Sequence, residues 1–202
     1  ITPDSAQTEL EGMGSDAKNA NQQEAAEQFV GKTPKVFLTE NRFGYFTANG
    51  ELLRSSPVTQ RISASSAAWT EYGSDAYKTP IYRPDGSLIT VIEEPGFVYI
   101  DEDRFYLFEP GGGAVKQYSA DGKPLWRYLH TAPITAFHST ESGVIIGFSD
   151  GKLVALDSAG NVLSDFYPGG SDYQVILGAA LSTDGKLAAC VCGIDSQRAL
   201  LI

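Results

Sequence analysis

The sequence predicts an all-β fold made of repeated four-stranded antiparallel units. From Pro34 onward, short runs alternate apolar and polar residues, which is the period-2 pattern of β-strands. Glycine-containing turns separate these runs, and Gly (21) and Pro (10) together make up about 15% of the chain, which suits a turn-rich β protein. One turn pattern also recurs at a nearly constant spacing, which indicates a structural repeat.

Four glycine turns carry this repeat. The segments FTANGELLR, YRPDGSLIT, YSADGKPLW and LDSAGNVLS each contain a large apolar residue, three small or turn-forming residues, a glycine and an apolar strand. Their glycines are Gly50, Gly86, Gly122 and Gly160, so the spacings are 36, 36 and 38 residues. Each such unit has room for four strands of about five or six residues. At Asp121 and Gly122 the Asp-Gly pair predicts a tight primed turn.

Four-stranded units of this period predict a β-propeller, in which each sheet, or blade, packs its face against its neighbours. We predict a partial blade at 35–56, full blades at about 57–94, 95–131 and 132–170, and a partial blade at 171–202. The chain is expected to cover only part of a longer ring. A β-sandwich or barrel with regular hairpins is the alternative.

The first 33 residues differ from the rest of the chain, 34–202. They are rich in Ala, Gln, Asn, Glu and Gly and contain one aromatic residue, Phe29. Such a stretch buries too little apolar surface to offset its ordering entropy. Residues 1–33 are therefore predicted to be a disordered acidic tether, with a short helix over 23–30 as the alternative. Because the sequence begins at Ile1, we expect a processed or trimmed form.

Charge and hydropathy restrict the partners. The net charge of −10 argues against a nucleic-acid partner, since phosphate binding needs clustered Lys and Arg. No apolar run approaches the roughly 18 to 20 residues of a membrane span. Membrane contact is therefore expected only through an N-terminal anchor that this sequence lacks.

Catalytic and metal-binding patterns are weak. Cys190 and Cys192 are two apart on a predicted strand and are expected to be small buried thiols, because a zinc site needs four ligands. His130 and His138 lie on different segments, and the sequence shows no carboxylate matched to either, so both are expected to be ordinary loop or strand histidines. No catalytic set and no cofactor site are predicted.

Acidic residues near the third unit are the candidates for a metal site. Calcium takes several carboxylate oxygens, and Glu93, Asp101 and Asp103 lie in adjacent turns beside Glu94 and Glu102. Acidic turns on an acidic protein are usually solvated, so we predict no metal and retain the three named residues as candidates only.

Aromatic residues in irregular segments are the candidates for partner contacts, because aromatics are enriched at interface hot spots. The alternative for each is packing in the core or between blades. The candidates are Trp69, Tyr72, Tyr77, Phe166, Tyr167 and Tyr173.

The turn at Gly122, Lys123 and Trp126 resembles the quinoprotein-type (PQQ-like) repeat, whose Gly-Lys-x-x-Trp ending docks one blade on the next through its Trp. Residues 169–202 also resemble WD-repeat-like or PQQ-like proteins of spirochaete bacteria. The resemblance covers about 35–202 and implies a β-propeller. Arg54, Thr90 and Ser164 stand where the other turns would carry the Trp, and Trp-Asp and Gly-His pairs of the WD type do not occur. The resemblance therefore implies the fold and not the cofactor.

Two functions are consistent with these observations. The first is a non-enzymatic scaffold or interaction module that binds a protein partner, and the resemblance implies an exported, periplasmic or envelope location for it, with the cytoplasm as the alternative. The second is a quinoprotein-like enzyme or ligand sensor. Its site would lie at the propeller axis, partly outside this chain, and whether PQQ or calcium binds the complete ring is left open. We favour the scaffold because no catalytic set is present.

Overall fold

The computed structural model describes residues 26–73, 76–170, 172 and 174–202. The described residues form eighteen strands in five antiparallel sheets, and they divide into two compact units, 1–93 and 94–202. Most of the predicted tether, residues 1–25, lies outside the described residues. Residues 26–31 form a single helical turn in which the Phe29 and Val30 amides donate to the carbonyls of Ala26 and Glu27.

Unit 1 contains two sheets. Sheet 1 has three strands in the order β1-β2-β3, and sheet 2 has four in the order β4-β5-β6-β7. The strands are β1 (Lys35–Leu38), β2 (Arg42–Phe46), β3 (Leu52–Pro57), β4 (Arg61–Ala64), β5 (Trp69–Tyr72), β6 (Thr79–Tyr82) and β7 (Leu88–Ile92). The core between the sheets is formed by Phe43, Tyr45, Leu53 and Trp69.

Unit 2 contains three sheets. Sheet 3 has the order β8-β9-β10-β11, sheet 4 the order β12-β13-β14-β15 and sheet 5 the order β16-β17-β18. The strands are β8 (Phe97–Asp101), β9 (Arg104–Phe108), β10 (Ala114–Tyr118), β11 (Pro124–Leu129), β12 (Ile134–Thr140), β13 (Gly143–Phe148), β14 (Leu153–Asp157), β15 (Val162–Phe166), β16 (Ile176–Leu181), β17 (Ala188–Cys192) and β18 (Arg198–Leu201).

Two cores hold unit 2 together. One lies between sheets 3 and 4 and includes Tyr106, Val115 and Phe148. The other lies between sheets 4 and 5 and includes Ile145 and Ile176. Neighbouring sheets of unit 2 therefore bury faces against each other, and this burial of apolar surface is the main source of stability for a stack of small sheets. The all-β fold of four-stranded antiparallel units is confirmed.

The repeat glycines close the last hairpin of sheets 1 to 4, and all four have positive φ, from +76° to +92°. The Gly122 amide donates to the Ser119 carbonyl, and the Ser119 amide donates to the Lys123 carbonyl. Among the described residues near this turn only the glycine has positive φ, and the register shifts between Gln117 and Tyr118. This is a type I turn followed by a G1 bulge. The primed turn predicted at Asp121 and Gly122 is wrong, because a type I′ turn would need positive φ at Asp121 as well.

No helix in the described part of the chain is long and apolar enough to cross a membrane.

Candidate functional site

An apolar cavity of about 280 Å³ lies in unit 2 between the first strands of sheets 3 and 4. Phe97 and Tyr99 of β8 form one wall, and Phe137 of β12 contributes to the other. The remaining lining residues are uncharged as well: Phe108, Gly112, Ile134, Thr135 and Ala136. A preformed apolar cavity with aromatic walls is the usual form of a binding site.

The strand β8 directs its aromatic side chains toward this cavity. Val98 and Ile100 are buried on one face of the strand, whereas Phe97 and Tyr99 on the other face are 43% and 37% exposed. Residues two apart on a strand face the same side, so the cavity receives two aromatic rings in succession. Gly96 precedes the strand, and a Cβ atom there would lie 2.9 Å from Leu107 Cδ1. Only a glycine lets the chain enter β8 this close to β9.

The aromatic walls are fixed by ring contacts. Phe97 stacks on Phe108, with ring centroids 4.6 Å apart and planes 4° apart. Phe137 meets Phe108 and Tyr99 edge-on, with centroid distances of 5.1 and 5.7 Å. Stacked and edge-on arrangements are the favoured geometries for aromatic pairs, so the cavity has a defined shape.

The opposite wall is held by sheet 5. The Thr135 hydroxyl donates to the Ile176 carbonyl oxygen at 2.6 Å, and a Cβ atom on Gly147 would lie 2.6 Å from Ile176 Cβ. The first strand of sheet 4 is thereby packed tightly on the first strand of sheet 5, and the open space is left on its other side, toward β8.

A buried polar network fixes the end of β8. The Arg104 guanidinium donates to the Asp101 carboxylate at 2.7 Å, and the Ser139 hydroxyl donates to the same carboxylate. Burial raises the pKa of the nearby Tyr106 hydroxyl, which hydrogen-bonds with Ser139. The network ties the β8–β9 turn to β12, so the exposed residues of that turn, Glu102 and Asp103, keep a fixed position relative to the cavity.

A second cavity, of about 230 Å³, is polar. Arg104 and Gln117 of sheet 3 line it together with Glu141 and Asp157 of sheet 4. The Nε atom of Arg104 is buried and has no hydrogen-bond partner among the described residues. Because charges of both signs line this cavity, its composition selects no particular class of ligand.

The three candidate metal ligands do not share a common set of contacts. Asp101 is bound to Arg104 and Ser139, and Asp103 is exposed. Glu93 belongs to unit 1, where it pairs with Lys78 at 2.6 Å. Within the described ranges, no group of three or more His, Cys, Asp or Glu side chains could hold a metal ion. The absence of a metal or cofactor stays a prediction.

Lys116 is the centre of a charge network on sheet 3. It pairs with Glu94 and, at 3.3 Å, with Glu109, and Arg127 donates two hydrogen bonds to Glu109, at 2.7 and 2.8 Å. The hydrogen bonds from Lys116 and Tyr118 lower the pKa of Glu94, and those from Arg127 and Lys116 lower the pKa of Glu109. This network stabilises sheet 3, and both of its carboxylates are paired with basic side chains.

The structure corrects the expectation for His130. Its Nε2 atom lies 2.7 Å from the Asp150 carboxylate of sheet 4, a pairing that the sequence did not indicate. Burial raises the pKa of Asp150, but hydrogen bonds from His130 and the Lys152 amide bring it below its usual value. His138 instead accepts a hydrogen bond from the Leu181 amide at its Nδ1 atom. Both histidines thus connect neighbouring sheets.

Cys190 and Cys192 are free and buried, as predicted. Burial is also the main cause that raises the pKa of the Cys190 thiol, which makes the thiolate a minor species at neutral pH.

Trp126 packs between two sheets. Its half-buried ring packs against the core of sheets 3 and 4 and lies against the turn glycine of sheet 4, Gly160. Arg54 occupies the equivalent repeat position in unit 1. Its guanidinium lies 4.4 Å from the Trp69 ring centroid, and its Nη1 atom would be 3.1 Å from a Cβ atom on Gly86. Arginine therefore makes the contact between sheets 1 and 2 that tryptophan makes between sheets 3 and 4.

The predicted partner contacts fall into three groups. Trp69 and Tyr72 are each only 8% exposed, and the Trp69 indole donates to the Arg83 carbonyl, so both are core residues of unit 1 and the prediction of surface contacts is wrong for them. Tyr167 and Tyr77 are exposed, and Phe166 packs on the core of sheets 4 and 5. Tyr173 lies outside the described residues.

Phe97, Tyr99 and Phe137 were missed by the sequence-based prediction. The segment FVYID contains a signal that could have found two of them, because two of the three residues on one strand face are aromatic while Val98 and Ile100 fill the other. The sequence did not show which face is covered by a neighbouring sheet.

Small antiparallel sheets that pack face to face within each unit, four of them closed by the same glycine turn, are typical of β-propellers. Comparison with protein families agrees: the family described as beta-propeller protein matches residues 5–202. The chain belongs to this family, and the predicted β-propeller is confirmed.

A curated relative is an uncharacterised protein of Treponema pallidum (strain Nichols), which is 52% identical over 171 residues. The match covers 85% of this chain and 45% of the relative, so this chain spans less than half the length of the relative. The predicted resemblance to a spirochaete protein is confirmed.

Solved structures share the fold at low sequence identity. Hsv2 from Kluyvelomyces marxianus matches 84% of this chain and 60% of its own, with a TM-score of 0.61 at 13% identity. The match to BamB from Moraxella catarrhalis covers 79% of this chain and 56% of BamB, with a TM-score of 0.52 at 14% identity. The match to the computationally designed Ika4 protein covers 71% of this chain and 91% of Ika4, with a TM-score of 0.53 at 17% identity.

Proposed function

We propose that this chain is a non-enzymatic part of a β-propeller that binds a protein partner, and that the cavity beside β8 receives an apolar side chain of that partner. The observation that carries the proposal is the exposure of Phe97 and Tyr99 at the mouth of a preformed apolar cavity. Exposed apolar surface next to a pocket is typical of interaction sites, and buried aromatic anchors dominate their energetics.

The size of the cavity supports a protein partner. Pockets for drug-sized ligands have volumes of about 300 to 1,000 Å³, and a cavity of about 150 Å³ holds one benzene ring. The present cavity, at about 280 Å³, fits one large side chain or two smaller ones. It is small for an organic cofactor, and its lining has no charged group to orient one.

An exported, envelope-associated location is part of the proposal. It is supported by the location that the sequence resemblance implies and by the fold shared with BamB. Membrane attachment would come from an N-terminal anchor in the natural protein. Protease treatment of intact and permeabilised cells tests this: cleavage of the natural protein only after the inner membrane is opened would contradict an envelope location.

Native mass spectrometry of the full-length protein, purified gently from its own cells, tests the function. We expect a co-purifying polypeptide and no small-molecule excess, with the polypeptide lost in Tyr99→Ser. Tyr77→Ser, which removes an exposed tyrosine of unit 1 away from the cavity, is the matched control and should retain it. A mass excess of a small molecule or metal ion without a polypeptide would instead support the enzyme or ligand sensor with a site at the axis.

A further inference from the structure

We infer that the polar cavity between sheets 3 and 4 binds a free basic amino acid of about the size of lysine, with its carboxylate at Arg104 and its two ammonium groups at Glu141 and Asp157. This inference concerns a second site and does not depend on the proposed function, so its failure would leave that proposal standing.

The volume of the polar cavity sets the size of the ligand. The cavity measures about 230 Å³, whereas a cavity of about 150 Å³ holds one benzene ring. The same ratio of volume to atoms gives room for about nine non-hydrogen atoms. Free lysine is of this size, and pockets for drug-sized molecules are larger, at about 300 to 1,000 Å³. The ligand is therefore a small metabolite rather than a cofactor.

The placement of the charges selects the class of ligand, although the composition alone does not. The guanidinium of Arg104 lies on sheet 3, whereas both carboxylates lie on sheet 4. Glu141 belongs to the turn between β12 and β13, and Asp157 ends β14. Among the described residues, no other charged side chain lines the cavity. One cation thus faces two anions, and a basic amino acid carries the complementary set of one carboxylate and two ammonium groups.

The guanidinium of Arg104 keeps donors for the carboxylate of the ligand. A guanidinium has five N–H donors. Its Nη2 group donates to Asp101 at 2.7 Å, and its Nε atom has no hydrogen-bond partner among the described residues. The Arg104 side chain is 19% exposed, so part of it can be reached from the cavity. Arginine is the preferred partner of carboxylates in proteins, and the amide of Gln117 beside it can donate to the same group.

The carboxylate of Asp157 is held in place for an ammonium group. It accepts hydrogen bonds from the backbone amides of Ala159 and Asn161, at 2.9 and 2.8 Å, and from the Asn161 side chain at 2.9 Å. The side chain of Asn161 is the main cause that lowers the pKa of Asp157, so the group is ionised at neutral pH. All three donors are uncharged. The negative charge of Asp157 is therefore oriented by the turn but not cancelled by it.

The turn that carries Glu141 is fixed next to Asp157. The hydroxyls of Thr140 and Ser142, on either side of Glu141, hydrogen-bond with each other at 2.8 Å. Gly143 follows and lies opposite Asp157 in the sheet, and a Cβ atom there would lie 3.0 Å from Asp157 Cα. Glycine thus lets the two segments approach closely. Because both anions are placed before the ligand arrives, binding costs little ordering of the protein.

Titration of the ¹⁵N-labelled full-length protein with free L-lysine, followed by amide chemical shifts, tests the inference. A small ligand held by a few polar contacts dissociates quickly and is lost in purification, so titration detects it where co-purification does not. We expect saturable shifts at the amides of four lining residues, Glu141, Gly143, Asp157 and Ser158. If no shift saturates, or if only amides away from the cavity shift, the inference is overturned.

Two analogues of lysine test the charge complementarity. Cadaverine has both ammonium groups but no carboxylate, and it should bind at least about 10-fold more weakly, because a charge-assisted hydrogen bond to Arg104 is lost. Glutamate has the reverse balance of charges and should cause no saturable shift. Equal affinity for cadaverine and lysine would overturn the role of Arg104. Binding of glutamate as tight as that of lysine would overturn the proposed class of ligand.

A charge variant tests the sheet 4 wall. Glu141→Gln should weaken lysine binding by about 2- to 5-fold at low salt, and this loss should vanish near 1 M salt, because Glu141 is exposed and its pair with the ligand is screened. Asp195→Asn removes an exposed carboxylate elsewhere in unit 2 and is the matched control, which should leave the affinity unchanged. An equal loss in both variants, or no loss in Glu141→Gln, overturns the assignment of Glu141.

Discussion

Gly160 and Trp126 lie on neighbouring sheets and pack directly against each other. A Cβ atom on Gly160 would lie 2.9 Å from Trp126 Cδ1 and closer still to Trp126 Cβ and Cγ. Trp126 lies on the outermost strand of sheet 3, and Gly160 lies in the last hairpin turn of sheet 4. The turn glycine therefore has two functions in this fold: it adopts positive φ, and it provides the flat surface on which the indole of the preceding sheet packs.

Gly160→Ala is expected to destabilise the protein by about 2 to 4 kcal/mol, from backbone strain at positive φ and from the overlap with Trp126. Gly50→Ala is the matched control. Gly50 has nearly the same φ, +83° against +84°, but has open space around it, so its cost should be only about 1 kcal/mol. Urea unfolding measures both values. Equal losses would show that the indole does not pack on the turn.

Trp126→Ala should cost about 3 kcal/mol, because it removes a large, half-buried ring that packs against the core of sheets 3 and 4. Trp126→Phe should cost less than about 1 kcal/mol, because the buried indole nitrogen has no hydrogen-bond partner among the described residues and its removal leaves no group newly unpaired. In a double-mutant cycle, Trp126→Ala should relieve only the part of the overlap cost of Gly160→Ala that comes from the ring atoms, because alanine keeps the Cβ atom. Full additivity of the two losses would contradict the contact.

Arg54→Ala should destabilise unit 1 by about 1 to 2 kcal/mol, because the guanidinium stacks on Trp69 and its stem covers apolar surface. Arg54→Lys keeps the charge but loses the planar stacking, so it should recover only part of this loss. Thermal unfolding followed by tryptophan fluorescence measures both. Full recovery by lysine would mean that the charge, and not the stacking, holds the two sheets together.

Lys116→Met should cost about 1 kcal/mol at neutral pH, since Glu94 is partly exposed and solvent screens its pair. The pKa values of Glu94 and Glu109 are lowered in the folded protein. Their contribution is therefore present above the unfolded pKa of about 4.3 and is lost as the pH falls through the folded values. The difference in unfolding free energy between the wild type and Lys116→Met should shrink over that range.

Lys35→Met, which removes an exposed lysine of unit 1, is the control for this pH dependence. Urea unfolding at a series of pH values from neutral to acidic measures both variants. If the cost of Lys116→Met stayed constant from pH 7 down to pH 3, the carboxylates would not be its stabilising partners.

Strands and turns could be predicted because their signals are local. The segment predicted as a strand at PITAFHST contains the observed strand Ile134–Thr140, since alternation and bounding turn residues are both present in the sequence. The positive φ of Gly122 was predicted for the same reason, although the turn type was not. Whether a hairpin closes with a primed turn or with a G1 bulge depends on the φ of the residue before the glycine, which Asp121 permits either way.

The candidate site could not be predicted because it depends on packing between sheets. FVYID and WTEY are both aromatic-rich strands, yet the first leaves Phe97 and Tyr99 exposed and the second buries Trp69 and Tyr72. The two strands differ locally, since Phe97 and Tyr99 share one face whereas Trp69 and Tyr72 lie on opposite faces, but the sequence does not show which face a neighbouring sheet covers. The pair of His130 and Asp150 was missed for the same reason, since its two residues lie on different sheets.

The sequence by itself determined an all-β chain of four-stranded repeats, the glycines that close them and the family resemblance, because periodicity, turn chemistry and spacing are properties of the chain alone. The tertiary structure decided which aromatic rings are core and which line an open cavity, and that Arg54 can occupy the position that Trp126 occupies two repeats later. It also decided that Glu94, Asp101 and Glu109 pair with basic side chains in separate networks. These depend on the relative placement of sheets, which is fixed by the burial of large apolar faces against each other and is not encoded in any single segment.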